Sequence, residues 1–565
     1  MTTTFNDYTY TRPDLDATKK AFDALIDKFN AADSADAQLE VIKELNHIRN
    51  DINTNYSLAM IRASIDTNDQ FYSDERDYFD NNAAQLAALE ADYFKALTSS
   101  PFKDALEEQL GSQLFSLAYN IVNSYSDEVK DLINEENKIS SEYSKLIASA
   151  EIDYDGKQLN LAQMGPYTQS TDRAVRKEAA LKVQEFMSAN LEAFDDIYDR
   201  LVKVRHDIAL KLGFDNFIEL GYMRMQRIDY DQQMVSSYRD QIREHVVPLA
   251  TKLYDRQAAR IGVDKLKYYD EPILFLSGNE NPKDEPAVIL ENGRKMYEAL
   301  SPETGEFYHF MMSRQLFDVE AKKGKEAGGY CTFIDNYNAP FIFANFNTTD
   351  HDITVLTHEA GHAFQVYSSR DQEVPDYLWP THESCEIHSM SMEFFTYPWL
   401  DLFFNNADKF KYKHIGDAVQ FLPYGVAIDE FQHRVYERPE MTPEERRQVW
   451  TELEEKYLPH RDYDGIYPLS EGSLWHRQGH VFNSPFYYID YTLAQVCAFQ
   501  FFKRSREDFD SAWQDYLKLC RLGGSLPFNA LVKEAHLNSP FEQGTLSDIM
   551  NYLEDYIDNI DDSQF

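Results

Sequence analysis

Residues 353–366 read ITVLTHEAGHAFQV, and the reading of this segment decides what kind of protein the chain is. On a helix of 3.6 residues per turn His358 and His362 stand at i and i+4, so both imidazoles project from one face and can grip one ion. Glu359 lies about 100° around from His358, beside that ion rather than on it, where a base acting on water belongs. Apolar Ile353, Val355 and Leu356 precede the polar pair, and Asp350 or Asp352 can cap the helix start. The extended pattern with a third histidine six residues after the second stops at Ser368. A third ligand must therefore come from another segment.

The next segment downstream, THESCEIHSMSMEFFTYPW at 381–399, is dense in possible ligands: His382, Glu383, Glu386, His388 and Glu393. Taken as a helix it puts Glu386 and Glu393 on one face, while His388 turns about 200° from Glu386. Spacing leaves both Glu383 and Glu386 open as the third ligand. Upstream, residues 328–352 are strand-like, with PFIFANF at 340–346 reading as a short strand of aromatic and β-branched character. If its edge is open a peptide can add to it as a strand, and an ordinary buried strand is the equal alternative.

Elsewhere the chain reads as helix after helix. Leu106, Leu110, Leu114, Leu117 and Ile121 form one apolar stripe. Phe194, Ile197, Leu201, Val204 and Ile208 form another, which runs to Leu212 and stops at Gly213. Between them Asp155-Gly156 signals a hairpin, and Ser170 or Thr171 is the expected N-cap of the next helix. LSGNENPKDEP at 276–286 reads as a linker or surface loop.

At 565 residues the chain exceeds the size at which one core stops growing, which predicts two lobes or more. A net charge of −41 disfavours nucleic acid and anionic membrane surfaces as partners. Residues 491–502, the longest uncharged apolar-rich run, fall short of the ~18 residues of a membrane helix. The first residues show neither a basic stretch nor an apolar run, so no secretory signal is expected. The 4 cysteines are scattered without metal-ligand spacing, as suits free thiols in a reducing compartment. A cytoplasmic location is expected.

LTHEAGHAFQ at 356–365, followed by Glu386 and Glu393 in EIHSMSME, resembles the thimet oligopeptidase family of metallopeptidases, specifically its oligoendopeptidase F and Pz-peptidase-like branch. Residues 155–179, GGYCTFI and PFIFANF extend the likeness over roughly residues 150 to 550. The family's metal-binding glutamate begins such an E-x6-E segment some two dozen residues after the second histidine, which selects Glu386. The resemblance thus implies one zinc ion per chain held by His358, His362 and Glu386, with Glu359 as the base. In HRQGHVFNSPFYYIDYTLAQ, residues 476–495, His480 with Tyr488 and Tyr491 resembles the family's histidine and tyrosines that face the zinc across a cleft. A slightly shorter loop after His480 makes Tyr487 a rival to Tyr488, although on a helix Tyr487 would point about 100° away from it. A core aromatic cluster is the alternative reading in a chain with 37 tyrosines.

The fold so implied is mainly α, a two-lobed helical clamshell with a small β-sheet near the active site. Residues 1–199 would form an N-terminal helical region with a small hairpin module, and 200–565 the catalytic region. The function implied is hydrolysis of internal bonds in short unstructured oligopeptides. A helical zinc carboxypeptidase and a non-catalytic peptide-binding clamp are the rivals.

Overall fold

The computed structural model describes residues 3–565 and is built mostly of helices, with two small sheets. The chain divides into two compact units, each assembled from three segments. The first comprises Met1–Val122, Asn281–Ala407 and Cys497–Leu537; the second comprises Asn123–Glu280, Asp408–Val496 and Asn538–Phe565. The second change of unit, between Glu280 and Asn281, falls inside the polar stretch 276–286 that the sequence marks as a linker.

In the first unit the leucine stripe is real but the helix is not continuous. It breaks at Gly111 into α1 (Lys103–Leu110) and α2 (Ser112–Asn123). Gly111 has φ of +90°, which a residue with a Cβ resists, and an added Cβ would lie 2.9 Å from the Tyr377 hydroxyl. That hydroxyl spans the break: it donates to Leu110 O at 2.8 Å and accepts from Leu114 N at 2.9 Å. Both helix ends are thereby satisfied while Leu106 and Leu114 stay in one buried cluster with Phe22, Leu45 and Leu97.

In the second unit, α3 (Leu191–Lys211) carries the second stripe and ends at Leu212-Gly213, with Gly213 at φ of +92°. Asp155 and Gly156, at φ of 53° and 69°, turn the hairpin between β1 (Ile152–Tyr154) and β2 (Lys157–Leu159). The cap of the following helix is Asp172 rather than Ser170 or Thr171; its carboxylate accepts from Ala174 N at 2.8 Å. A carboxylate at the positive end of the helix dipole is the stronger partner.

The larger sheet belongs to the first unit and comprises β3 (Phe317–Glu320), β4 (Tyr330–Ile334) and β5 (Ala339–Phe346), in the order β3-β5-β4. PFIFANF is therefore the centre of the sheet. β3 pairs with it in parallel and β4 antiparallel, so both of its edges are taken and it cannot accept a peptide strand. Its nearly uniform burial follows from that position. Among the described residues no helix is long and apolar enough to cross a membrane.

Candidate metal centre

The strand β5 leads directly into α5 (His351–Ser369), the helix that carries the histidine pair. Asp350 occupies its N-cap position, while the Asp352 carboxylate accepts from Asn347 N at 3.0 Å and Thr348 N at 2.8 Å. The helix start is thus tied to the end of the strand. α6 (His382–Phe395) packs beside α5 at very short range, because position 361 is glycine. A Cβ there would stand 2.7 Å from His388 O, 2.7 Å from Ser389 Cα and 3.0 Å from Met392 Cβ. Two of those three atoms are backbone and cannot rotate away. Gly361→Ala is accordingly expected to force the helices apart, costing about 1–3 kcal/mol of stability as overpacking does. Chemical denaturation measures the loss, and metal content should fall with it.

The close approach brings His358, His362 and Glu386 together. One donor atom from each lies within 4.8 Å of the others, and among the described residues no other such group occurs. Glu386 Oε2 is 3.3 Å from His358 Nε2 and 3.6 Å from His362 Nε2. A tetrahedral ion with bonds of about 2.0–2.2 Å sets its ligands about 3.3–3.6 Å apart, so the group fits a small divalent ion with little adjustment. The rings of His358 and His362 stand at 82° to one another, with centroids 5.0 Å apart.

The acceptor that orients His358 is Glu393. His358 Nδ1 donates to Glu393 Oε1 at 2.7 Å, which turns Nε2 toward Glu386 and reserves it for a metal ion. The signal for this role was present in the seven-residue interval from Glu386, which repeats the same helix face two turns on. Ser389 Oγ in turn donates to Glu386 Oε2 at 2.9 Å. Burial opposes charge on this carboxyl, but His362 and His358 outweigh it and hold it well below the usual carboxylate range. For His358 burial is likewise outweighed, here by Glu386 and Glu393, which hold the imidazole well above its ordinary pKa. In Glu359 burial wins over the two histidines and raises the carboxyl. A carboxylate shifted toward neutrality is a better match for moving protons near pH 7. The backbone beside it is close: a Cβ on Gly329 would lie 3.8 Å from Glu359 Oε1.

The other candidates on α6 face elsewhere. His382 is exposed and Glu383 is buried outside the donor group. His388 is fully buried and directs Nδ1 at Ser384 O at 2.8 Å; burial pushes its pKa down to about 4. Cys331 on β4 is a free cysteine, and burial pushes its thiol well above the ordinary value, so it is a poor nucleophile.

His480, Tyr488 and Tyr491 belong to the second unit. There α7 (Ala407–Glu437) and α8 (Tyr488–Glu507) frame them. His480 sits among three phenol rings, with centroids at 5.0 Å for Tyr488, 5.7 Å for Tyr487 and 5.8 Å for Tyr491. The expectation that Tyr487 turns away does not hold: α8 begins at Tyr488, so helical angles do not apply to Tyr487, and its ring lies 4.9 Å from that of Tyr491. The Tyr424 hydroxyl donates to Gln478 Oε1 at 3.0 Å, and Gln478 Nε2 lies 2.7 Å from His480 Nδ1. In that chain Gln478 donates to Nδ1, which leaves the His480 proton on Nε2. Burial keeps His480 neutral by lowering its pKa. It also pushes the Tyr488 phenol upward, reinforced by Tyr491, so the hydroxyl stays a donor.

A helical framework, a short mixed sheet and an H-E-x-x-H helix completed by a glutamate from the next helix define a metallopeptidase of the mainly helical kind. Comparison with known proteins specifies which. Residues 304–551 match peptidase family M3, residues 5–125 match the M3 N-terminal domain, and the chain belongs to that family. It is similar in structure to Pz peptidase A, with a TM-score of 0.93 and 53% identity over 99% of this chain and 100% of the other. A putative oligoendopeptidase F from Bacillus anthracis superimposes with a TM-score of 0.89 at 49% identity, each chain being covered completely (100%). An oligoendopeptidase F homolog of Borreliella burgdorferi is 24% identical over 374 residues, which span 64% of this chain and 61% of that protein.

Proposed function

We propose that the protein is a zinc-dependent endopeptidase that cleaves short, unstructured oligopeptides. The observation that carries this reading is the triad of His358, His362 and Glu386 donors within 4.8 Å, with Glu359 next to the first of them on the same helix. Two imidazoles and one carboxylate form the donor set of catalytic rather than structural zinc. Family membership and the likeness to Pz peptidase A and oligoendopeptidase F support peptides as substrates and internal bonds as the point of cleavage. The 4 free cysteines support a reducing, cytoplasmic setting.

When bound, the ion supplies Lewis acidity, polarising the scissile carbonyl and lowering the pKa of water to roughly 7. The chain does the rest. Glu359 takes the proton of the attacking water and passes it to the departing amine. Glu393 holds His358 in the tautomer that leaves Nε2 free. On the family resemblance, Tyr488 and Tyr491 would donate to the oxyanion as charge develops, with His480 beside them.

Incubation with an internally quenched peptide, with and without chelator, followed by mass analysis of the products, tests this reading. Internal cuts abolished by chelator are expected. Trimming of single C-terminal residues would make the protein a carboxypeptidase, and no turnover would make it a binding clamp.

The tyrosines provide a graded check. Loss of an oxyanion donor should lower kcat by ~10² to 10³ with metal and substrate binding intact. Tyr488→Phe or Tyr491→Phe is expected to show that loss in steady-state assays on the metal-loaded enzyme, with Tyr487→Phe, whose ring also lies beside His480, as the comparison. A Tyr487→Phe variant as damaged as these would transfer the role to Tyr487.

A further inference from the structure

The residue just before the three tyrosines is held in a way that packing alone does not require. Phe486 has a φ of +68°, a left-handed conformation that a bulky residue with a Cβ rarely adopts. It is fully buried, and both of its backbone polar groups are bound by side chains from elsewhere in the second unit. Its N–H donates to Gln432 Oε1 at 2.9 Å, and its carbonyl accepts from Arg227 Nη2. The same Arg227 nitrogen donates to Asp490 Oδ1 at 2.8 Å, in the first turn of α8. One buried guanidinium thus joins the left-handed residue to the helix that presents Tyr488 and Tyr491.

The ring is pinned as well. It lies against α4 (Phe217–Arg224), where a Cβ at Gly221 would come within 2.6 Å of Phe486 Cδ2 and 2.8 Å of Cε2. Tyr222, His433 and Tyr436 surround it, with ring centroids at 5.7, 4.9 and 5.5 Å. Backbone donor, backbone acceptor, dihedral and ring are all constrained at one position. The chain leaves that position directly into Tyr487 and Tyr488, and Asp490 N donates to Tyr487 O at 2.9 Å. An unfavourable conformation persists only where its surroundings over-determine it, and such sites concentrate where placement matters.

We infer that Phe486 is a positioning residue: clamped by Arg227, Gln432 and the gap at Gly221, its left-handed backbone sets the register of Tyr488 and Tyr491 beside His480. This rests on the reading that those tyrosines act on the substrate. Position 486 therefore acts on turnover through them and has no contact of its own with the peptide.

The test compares Phe486→Ala with Phe486→Gly in the metal-loaded, full-length enzyme, using a quenched peptide. Both variants lose the ring, but only glycine adopts φ near +68° without strain. Phe486→Ala is expected to lower kcat at least tenfold with KM and metal content little changed, and Phe486→Gly to recover part of that loss. A residue that merely fills space predicts glycine no better than alanine, and that order would overturn the proposal. Repeating Phe486→Ala in a Tyr488→Phe/Tyr491→Phe background separates the two readings, since damage transmitted through the tyrosines should largely vanish there. If the double tyrosine variant keeps full kcat, the role of the tyrosines fails. If it is impaired and Phe486→Ala still costs its full factor on top, the positioning role fails alone. Should Phe486→Ala not fold, Gln432→Ala removes the acceptor of the Phe486 N–H, together with a donor to Ile428 O within its own helix, and is expected to lower kcat in the same tyrosine-dependent way; an unchanged kcat would overturn the inference.

Discussion

Glu359→Gln is expected to lower kcat by ~10² to 10⁴, the usual cost of losing a general base. The amide has the shape of the carboxylate but cannot take the proton of the attacking water. Glu359 is not among the three clustered donors, so the variant should bind its metal as the parent does. Its carboxyl is buried and raised by that burial, so an amide in its place removes a costly buried charge and should not destabilise the fold. Metal analysis, thermal denaturation and steady-state kinetics on one preparation check all three statements. Near-native kcat in a metal-loaded variant would refute the assignment of the base.

Glu386→Ala should act earlier, on the metal itself. It removes one of three donors, the carboxylate that stands 3.3 and 3.6 Å from the two histidines, and leaves His358 only Glu393 on its other ring nitrogen. Losing an outer hydrogen-bond partner already costs about 10–100-fold in metal affinity, and loss of a direct ligand should cost more. Glu383→Ala, one turn earlier on the same helix and outside the donor group, should leave the metal bound. Competition of each purified variant with a chromogenic chelator gives the comparison. Full occupancy in the Glu386 variant would transfer the ligand to a neighbour.

What the sequence made legible was what the chain writes locally. The interval from His358 to His362 defines a shared helix face without reference to anything else, and so does the stripe that ends at Gly213. Glu386 was different in kind: helical spacing kept it level with Glu383, and only the family resemblance preferred it. Its distance to the histidines depends on how closely two helices approach, and that is set by Gly361, whose missing side chain carries no periodic signal. The same limit explains the break at Gly111, where the leucine stripe continues across two helices because a tyrosine more than 260 residues away satisfies their ends. Strand character in PFIFANF was readable, but whether its edges were open depended on β3 and β4. The conformation of Phe486 could not be read at all, since nothing in FYYIDY distinguishes a left-handed phenylalanine from an extended one.

The metal donors and the carboxylate that orients His358 all lie between positions 358 and 393, on α5 and α6, which follow one another in the chain. An ion bound there cross-links neighbours in the chain. The loop it closes is short, so little chain entropy is lost in closing it, and contacts of this kind form early in folding. The cradle can therefore assemble as a helical hairpin before the three segments of its unit have come together. Metal that binds the hairpin at that stage stabilises it by mass action, in proportion to the logarithm of free metal over its dissociation constant. Under the proposed function, supply of the metal during synthesis would then bear on folding yield, as well as on how many finished molecules are active.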